Sequence, residues 1–475
     1  MRIAALLVGP LAGGLVTWSA SAAIGFDGAA TLGILVWMAI WWLTIATDLA
    51  ATALLPALLL PTLGVSTPAQ AMGPYADGII FLFAGGFTLA LALERHGLSE
   101  RFASAVLAMA GTDATRVIGA LMIATALMSA FVSNTATAAA MLPIAIALGR
   151  SGVMVGSRAA TSEERATLRT AAVLAVAYAA SIGGVLTLVG SPPNAIAARA
   201  IGQSLAAGEG SAATAMSFAA WLRFGGPIGI TLLVLTWLLL TRWSFRLGGL
   251  HVESIPRRES ARPSNAMRLT GLIFGLTVVG WVTRPLWPAW ASGVRDETIA
   301  IGAALLLLTL PARLRPFEPL LPLTELARLP WGVLILFGGG LSMAAAVEQH
   351  GVASWLAGFA GQLADAPPWL IIAVIAIVAC FATEIASNTA LTATLMPVLA
   401  ALATATGAPM DRLAVTGALA ASLAFMLPVG TPPNAMAYAT GEVTVGQMAR
   451  TGFLLNIISI VVIIAFMTIT LPSGA

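Results

Sequence analysis

Long apolar segments follow one another along almost the whole chain, and an α-helix of about 20 apolar residues is long enough to cross a bilayer. Only 9% of the 475 residues are charged and 59% are hydrophobic, which leaves too few charges to cover a soluble surface. We therefore predict an all-α polytopic membrane protein. The candidate spans are 4–24, 31–46, 48–65, 77–96, 170–200, 218–241, 269–288, 298–312, 330–348, 410–438 and 451–471.

The N-terminal segment has a basic start and an A-x-A-like end, as a secretory signal peptide does. Its apolar part is continuous from Ile3 to Ile24, however, and this length favours an uncleaved transmembrane helix over residues 1–24. The basic residues of the chain are all arginines and cluster in short loops. They form no basic face, so nucleic-acid binding is not expected.

Two further apolar stretches, 116–148 and 368–402, each carry the triplet Ser-Asn-Thr near the middle. Each is too long for one straight helix and too short for two full spans with a turn. A re-entrant hairpin fits this length, provided that its irregular tip is buried in protein or lines a cavity. The alternative is an ordinary kinked helix whose Ser and Thr hydroxyls bond to the preceding turn.

The two triplets belong to an internal repeat. The segment that starts at Phe83 aligns with the segment that starts at Phe337, an offset of 337 − 83 = 254, and the two triplets repeat at the same offset. Further on, GSPPNAIA at 190–197 matches GTPPNAMA at 430–437, at an offset of 430 − 190 = 240. Self-similarity over such lengths indicates a duplication.

Five predicted crossings separate the two hairpins, and an odd number predicts that the repeats are inverted in the membrane. The arginines of 150–169, of 242–268 and of 313–328 then fall on one side. By the positive-inside rule this side is cytoplasmic, with the N-terminus inside and the C-terminus outside the cell. The predicted units are the N-terminal helix 1–24, the first repeat 25–241, a cytoplasmic linker 242–268 and the second repeat 269–475.

The chemistry of these motifs indicates an anion held together with cations. Ser, Asn and Thr side chains offer neutral donors for a carboxylate, and a Pro-Pro pair breaks a helix, freeing carbonyls and presenting a helix N-terminus. The chain has no lysine, and the nearest arginine to either triplet is more than about ten residues away along the sequence. Bound sodium would offset the anion's charge, and hydroxyls one turn before each triplet, Ser129 and Thr383, are placed to complete oxygen cages. Only Glu384 offers an ionisable alternative nearby.

The two Ser-Asn-Thr triplets and the two Ser/Thr-Pro-Pro-Asn breaks resemble the hallmark motifs of the divalent anion:sodium symporter family, whose members carry dicarboxylates, citrate or sulfate. The resemblance extends over nearly the whole chain. It implies eleven spans with two re-entrant hairpins, a scaffold domain that dimerises, and a transport domain that moves as an elevator in the inner membrane.

The resemblance also assigns residues, with sodium as the coupling ion. The implied substrate-binding residues are Ser133, Asn134, Thr135, Ser191, Pro192, Ser387, Asn388, Thr389, Thr431 and Pro432. The implied sodium ligands are Ser129, Ser133, Asn134 and Gly190 at a first site, and Thr383, Asn388 and Gly430 at a second.

The expected function is sodium-coupled uptake of a small dianion, such as the four-carbon dicarboxylate succinate. Sodium-independent dicarboxylate exchange, or sulfate or citrate as the substrate, remain alternatives, and a passive anion channel is a more distant one. An intramembrane serine protease is suggested only by Ser151 in a G-x-S-G form, without a convincing base, so no enzyme is expected. Glu94 and Glu348 are interpreted as structural residues at helix ends, outside the site.

Overall fold

The computed structural model describes residues 2–150, 152–206, 216–252, 263–288, 291, 293–360 and 366–469, and these are mostly helical. Within this part of the chain, eight helices are long and apolar enough to cross a membrane. Four apolar helices of 10–17 residues accompany them. The prediction of an all-α polytopic membrane protein is confirmed, while the count of eleven spans stays a prediction.

The first long helix bends at Gly25, whose φ of 72° is left-handed, and it contains the predicted span 4–24 and most of the predicted span 31–46, ending at Thr44. The predicted span 48–65 consists of two short helices instead. The helices described in the first half are α1 (Arg2–Thr44), α2 (Leu49–Thr52), α3 (Leu55–Thr62), α4 (Pro68–Met72), α5 (Gly78–Arg95), α6 (Leu98–Ala108), α7 (Ala114–Ser129), α8 (Asn134–Arg150), α9 (Ser162–Leu186), α10 (Pro192–Ala206) and α11 (Phe218–Leu238).

The second half repeats much of this order. The helices described there are α12 (Asn265–Thr283), α13 (Asp296–Thr309), α14 (Trp331–Gln349), α15 (Val352–Ala360), α16 (Pro368–Ala382), α17 (Asn388–Thr406), α18 (Met410–Ser422), α19 (Pro432–Ala439) and α20 (Val445–Ile469). Short 3-10 turns and one π turn extend or join them at Gly73–Ala76, Leu239–Ser244, Arg284–Leu286 and Leu323–Arg328.

A small antiparallel sheet joins two loops that the sequence did not relate. Strand β1 (Val153–Val155) pairs with β2 (Arg158–Ala159) on one edge and with β3 (Leu250–Val252) on the other. The start of the predicted linker 242–268 is thus tied to the loop after α8, while residues 253–262 lie outside the described residues. A second hairpin, β4 (Pro311–Leu314) with β5 (Phe317–Pro319), lies between α13 and α14.

Both predicted hairpin segments form two helices with a short break between them. The break after α7 covers 130–133, and the break after α16 covers 383–387. The serine of each triplet caps the second helix, because Ser133 Oγ accepts from the Ala136 N–H at 3.3 Å and Ser387 Oγ from the Ala390 N–H at 3.5 Å. Each triplet therefore lies at a helix N-terminus.

The two Pro-Pro pairs interrupt the predicted spans 170–200 and 410–438. The chain leaves the helix over 187–191 in the first case and over the longer segment 423–431 in the second. Proline has no N–H for the ladder and is favoured in the first turn of a helix, which is why α10 and α19 both begin at these pairs.

Packing brings the four breaks to one place. Helices α7 and α8 pack on α9, and α16 and α17 pack on α18 in the same way. Helix α10 crosses to contact α17 and α18, while α19 contacts α8 and α9. This exchange of the second half-helices joins the two repeats around their breaks.

Two amphipathic helices, α6 and α15, were not predicted. Each follows a helix end at matching positions of the repeat, after Gly97 (φ 68°) and Gly351 (φ 70°), where the left-handed backbone ends α5 and α14. Helix α6 then packs on α7 and α15 on α17. Both helices are too short to show the hydropathy pattern of a span, which is why that pattern did not predict them.

Candidate functional site

A single cavity of about 810 Å³ receives both Ser-Asn-Thr triplets and both Pro-Pro breaks. All ten residues predicted to bind substrate line it, although they come from positions up to 299 residues apart (432 − 133 = 299). These residues are Ser133, Asn134, Thr135, Ser191, Pro192, Ser387, Asn388, Thr389, Thr431 and Pro432. Neutral hydroxyls and amides from both repeats thus face a shared space.

Four helix N-termini begin at this cavity, since the first residues of α8, α10, α17 and α19 all line it. A helix N-terminus carries partial positive charge and favours an anion by up to about 2 kcal/mol in buried geometries. The first two residues of α10 and α19 are prolines and have no N–H to offer. The free backbone donors of the site therefore come mainly from α8 and α17.

A cluster of three oxygens lies behind each triplet. Ser129 Oγ is 2.7 Å from Asn134 Oδ1 and 2.6 Å from the Ala180 carbonyl oxygen. Since a hydroxyl has one proton, only one of these two short contacts has a hydrogen in it. Oxygen ligands of this kind are what a hard cation such as sodium prefers, as calcium and magnesium sites illustrate.

The second repeat builds the same cluster. Thr383 Oγ1 is 2.7 Å from Asn388 Oδ1 and 2.7 Å from the Ala421 carbonyl oxygen. Ser129 and Thr383 are fully buried, one layer behind the cavity wall. Of the predicted sodium ligands, the other residues line the cavity itself: Ser133, Asn134, Gly190, Asn388 and Gly430.

Sequence reasoning missed the carbonyls of Ala180 and Ala421, because a backbone oxygen leaves no mark in the residue type. The family resemblance implied Gly190 and Gly430, and the structure supplies a reason for glycine at both positions. A Cβ on Gly190 would lie 2.7 Å from the Gly184 carbonyl oxygen, and a Cβ on Gly430 would lie 2.9 Å from Glu384 Oε2. The backbone at each break is too closely packed for a side chain at these positions.

Glu384 is buried and accepts four hydrogen bonds at the second break. The backbone N–H groups of Phe425 and Met426 donate to Oε1 at 2.8 and 2.9 Å, and the Leu427 N–H donates to Oε2 at 3.0 Å. Asn456 Nδ2 donates to Oε1 at 2.7 Å. The carboxylate therefore accepts from the backbone N–H groups that α18 leaves unpaired by ending early, and in this way it stabilises the second break.

Two charged residues also line the cavity, and both correct the sequence interpretation. Sequence reasoning placed Glu94 outside the site, and it found no arginine close to either triplet along the sequence. In the structure, Glu94 and Arg328 both line the cavity. Arg328 Nη2 donates to Glu94 at 2.8 Å and Nη1 to Glu325 at 3.0 Å. These bonds to Glu325 and Glu94 raise the pKa of the guanidinium above its usual value. Arg328 lies in a loop far from both triplets along the sequence, so sequence distance did not indicate that it is near the site.

The remaining candidates add no second centre. No group of three or more His, Cys, Asp and Glu residues able to hold a metal ion occurs in the described part of the chain. His96 Nε2 contacts the Leu320 carbonyl oxygen at 2.8 Å, and His350 Nε2 lies 3.4 Å from Ser66 Oγ. Ser151, the residue of the protease alternative, lies outside the described residues.

Comparison with known proteins shows the family of this chain. The family model described as citrate transporter matches residues 39–420. The sodium-dependent dicarboxylate transporter SdcS of Staphylococcus saprophyticus is 38% identical over 456 residues, which cover 94% of this chain and 86% of that protein. SdcS of Staphylococcus aureus is 37% identical over 457 residues, with the same coverage. This chain belongs to the divalent anion:sodium symporter family. As a member of that family it is a transporter and not an enzyme.

Two solved structures share the fold of this chain. The Alcanivorax borkumensis YdaH transporter matches with a TM-score of 0.63 at 15% identity, over 94% of this chain and 99% of that one. MtrF of Neisseria gonorrhoeae, described as one of a class of antimetabolite efflux pumps, matches with a TM-score of 0.61 at 12% identity, over 88% and 85%. At these identities the likeness concerns the architecture alone.

Proposed function

We propose that this transporter couples sodium to the uptake of a small dianion, with a four-carbon dicarboxylate such as succinate as its substrate. One observation carries the proposal: two symmetry-related triplets face one cavity, and each has an oxygen cluster directly behind it. A short dicarboxylate has one carboxylate for each triplet. The names of the SdcS relatives, sodium-dependent dicarboxylate transporters, support the same reading.

In this proposal the substrate carboxylates receive hydrogen bonds from the two triplets and from the N–H groups at the starts of α8 and α17. Ser191 and Thr431, with the prolines that follow them, complete the walls. Ser133 and Ser387 already accept from their own helices, so each hydroxyl proton is free to donate to a carboxylate.

Sodium would enter the two oxygen clusters. The first site is assigned to Ser129, Ser133, Asn134 and Gly190 and gains the Ala180 carbonyl; the second is assigned to Thr383, Asn388 and Gly430 and gains the Ala421 carbonyl. A cation placed between the oxygens of each cluster would remove their mutual repulsion. Because these ligands are neutral, the bound cation's charge remains available to the anion in front of it.

The alternatives differ in charge balance. Sodium-independent exchange would need another cation beside the anion, and Arg328 is already bonded to Glu94 and Glu325. Citrate would bring a third charge to neutralise, whereas sulfate would need the two triplets closer together. A channel would need a continuous pore, which two inward-facing breaks do not favour.

Movement and assembly are further parts of the proposal. We expect the two hairpin segments, with α9, α10, α18 and α19, to move together as a transport domain against a dimeric scaffold in the cytoplasmic membrane. The interlocked packing of these helices supports their movement as one body. Each hairpin is expected to be re-entrant, as its short helices and polar tip indicate.

Uptake of radiolabelled succinate into vesicles that contain the purified protein tests the proposed function. An inward sodium gradient is expected to raise initial uptake at least about tenfold over a choline gradient, with no need for dicarboxylate inside the vesicles. If uptake ignored the sodium gradient but required internal dicarboxylate, exchange would replace symport. Competition by unlabelled sulfate and citrate in the same vesicles ranks the three candidate substrates.

The inverted topology gives a separate prediction: residues 257 and 475, which both lie outside the described residues, are on opposite sides of the membrane. Single cysteines at Arg257 and Ala475 in a Cys380→Ser background are expected to label differently with an impermeant thiol reagent in intact cells. Serine is a suitable replacement because Cys380 Sγ lies 3.4 Å from the Leu423 carbonyl, to which a hydroxyl would still donate. Equal labelling at both positions would exclude an odd number of crossings between residues 257 and 475, where the sequence predicts five spans.

A further inference from the structure

We infer that Asn194 and Asn434, the asparagines that follow the two Pro-Pro pairs, are positioning residues that hold the two helix breaks in the shape that binds sodium. This inference rests on the proposed function. Neither side chain is assigned to substrate or sodium, and neither lines the cavity. Both are fully buried.

The two amides make the same pair of hydrogen bonds across their breaks. Asn194 Nδ2 donates to the carbonyl oxygens of Gly184, at 2.9 Å, and Thr187, at 2.8 Å. Asn434 Nδ2 donates to those of Ala424, at 3.1 Å, and Leu427, at 3.2 Å. In both repeats the acceptors lie ten and seven residues before the asparagine, as 194 − 184 = 434 − 424 = 10 and 194 − 187 = 434 − 427 = 7 show.

A broken helix needs such donors. The last carbonyls of a helix have no partner within it, and the prolines that start α10 and α19 have no N–H to give. One primary amide carries two N–H groups, which match two adjacent carbonyls of the break. The asparagine side chain thus supplies the N–H donors that the prolines lack.

The carbonyl oxygen of each amide indicates that the N–H donors, and not the oxygen, are the reason for an asparagine here. Asn194 Oδ1 and Asn434 Oδ1 are buried and make no hydrogen bond within the described residues. A buried acceptor without a partner is unfavourable, so the amide is a poor choice for filling space alone. An apolar side chain of similar size would fill the same space without that cost.

One carbonyl of each bonded pair also accepts from the backbone N–H of a proposed sodium ligand: Thr187 from Gly190 at 3.3 Å and Leu427 from Gly430 at 3.1 Å. A Cβ built on Gly184 would lie 2.6 Å from Asn134 Oδ1, and one built on Gly190 would lie 2.7 Å from the Gly184 carbonyl oxygen. In the second repeat, a Cβ on Gly430 would lie 3.3 Å from the Leu427 carbonyl oxygen. Each asparagine therefore holds backbone that is hydrogen-bonded to a proposed cation ligand.

The variants Asn194→Leu and Asn434→Leu test this directly, because leucine keeps the volume and removes both the donors and the unpaired acceptor. We expect the half-saturating sodium concentration for succinate uptake to rise at least about tenfold in each. At saturating sodium, the half-saturating succinate concentration should change less than about twofold. The sodium-induced rise in the thermal midpoint of the purified protein should shrink, in addition to any fall of the midpoint in choline that the loss of two donors causes.

Ser342→Ala is the matched control. The buried Ser342 hydroxyl lies away from the site and donates to the Ala71 carbonyl oxygen at 2.8 Å. The sodium dependence of this variant should be unchanged. Asn194→Ala and Asn434→Ala serve if the leucine variants do not fold. A lower midpoint in choline with a full sodium-induced rise would show a purely structural role and overturn the inference. So would failure of all four variants to fold, because a positioning role leaves the fold intact. A wild-type protein that shows no sodium response would instead overturn the proposed function.

Discussion

Replacing Asn134 or Asn388 by alanine is expected to raise the half-saturating concentrations of sodium and of succinate together, each at least about tenfold. Both asparagines line the cavity with their triplets, and the Oδ1 atom of each lies 2.7 Å from the buried hydroxyl of its oxygen cluster. An asparagine offers a carbonyl oxygen to a cation and an amide donor to a carboxylate. One side chain then links the two affinities, and by linkage each ligand strengthens the other equally.

Tenfold in each constant corresponds to about 1.4 kcal/mol, close to what a single hydrogen bond or cation contact contributes. The measurements are sodium and succinate titrations of uptake, with sodium-dependent thermal stability as a direct test of ion binding. Asn265→Ala, at the exposed start of α12, is the matched control and should change neither constant. Glu94→Gln is unsuitable as a control, because Glu94 lines the cavity. Normal sodium binding by Asn134→Ala with loss of succinate alone would limit the first cation site to Ser129 and backbone carbonyls.

Replacing Glu384 by leucine is expected to destabilise the second repeat more than any single change at the first break. Three backbone N–H groups and the Asn456 amide would lose their acceptor inside the protein. Each buried unsatisfied donor costs about 1–3 kcal/mol, so the total is several kcal/mol. Thermal unfolding of the purified protein in choline measures the effect.

A graded series separates this role from a general need for charge. Glu384→Gln keeps an oxygen for three of the donors but turns an N–H toward the Leu427 N–H. Its thermal midpoint should therefore lie between those of the wild type and Glu384→Leu. Glu318→Gln, a control at a partly exposed ion pair with Arg95, should have little effect. A Glu384→Leu midpoint equal to that of wild type would show that the loop over 425–427 needs no carboxylate.

The repeat itself shows where sequence reasoning succeeds. The offset of 254 residues aligned both triplets, and the structure brings all of the substrate-binding residues proposed from those motifs to one cavity. The helix breaks could be predicted because Pro-Pro pairs and polar triplets inside apolar segments interrupt helices locally. A helix break at membrane depth is tolerated only where it is buried in protein or lines a cavity. A break that is recognised in the sequence therefore also indicates a cavity.

The same repeat misleads where the two halves differ. The offset places Ala130 opposite Glu384 (384 − 254 = 130), and the sequence offered no reason for the change. The structure supplies one: α9 continues to Leu186, whereas α18 ends at Ser422 and leaves the N–H groups of 425–427 for a carboxylate to accept. Helix length at a break depends on packing against neighbours that are distant in the sequence.

The sequence by itself determined the membrane class, the duplicated motifs and the residue types that can hold an anion and sodium, because hydropathy and helix-breaking residues act over short distances. Only the tertiary structure decided which groups share the cavity. It added the Ala180 and Ala421 carbonyls, which no side chain reveals, and it brought Arg328 and Glu94 to the wall from distant positions. Backbone oxygens and long-range ion pairs are fixed by how helices pack, and packing is a property of the folded chain as a whole.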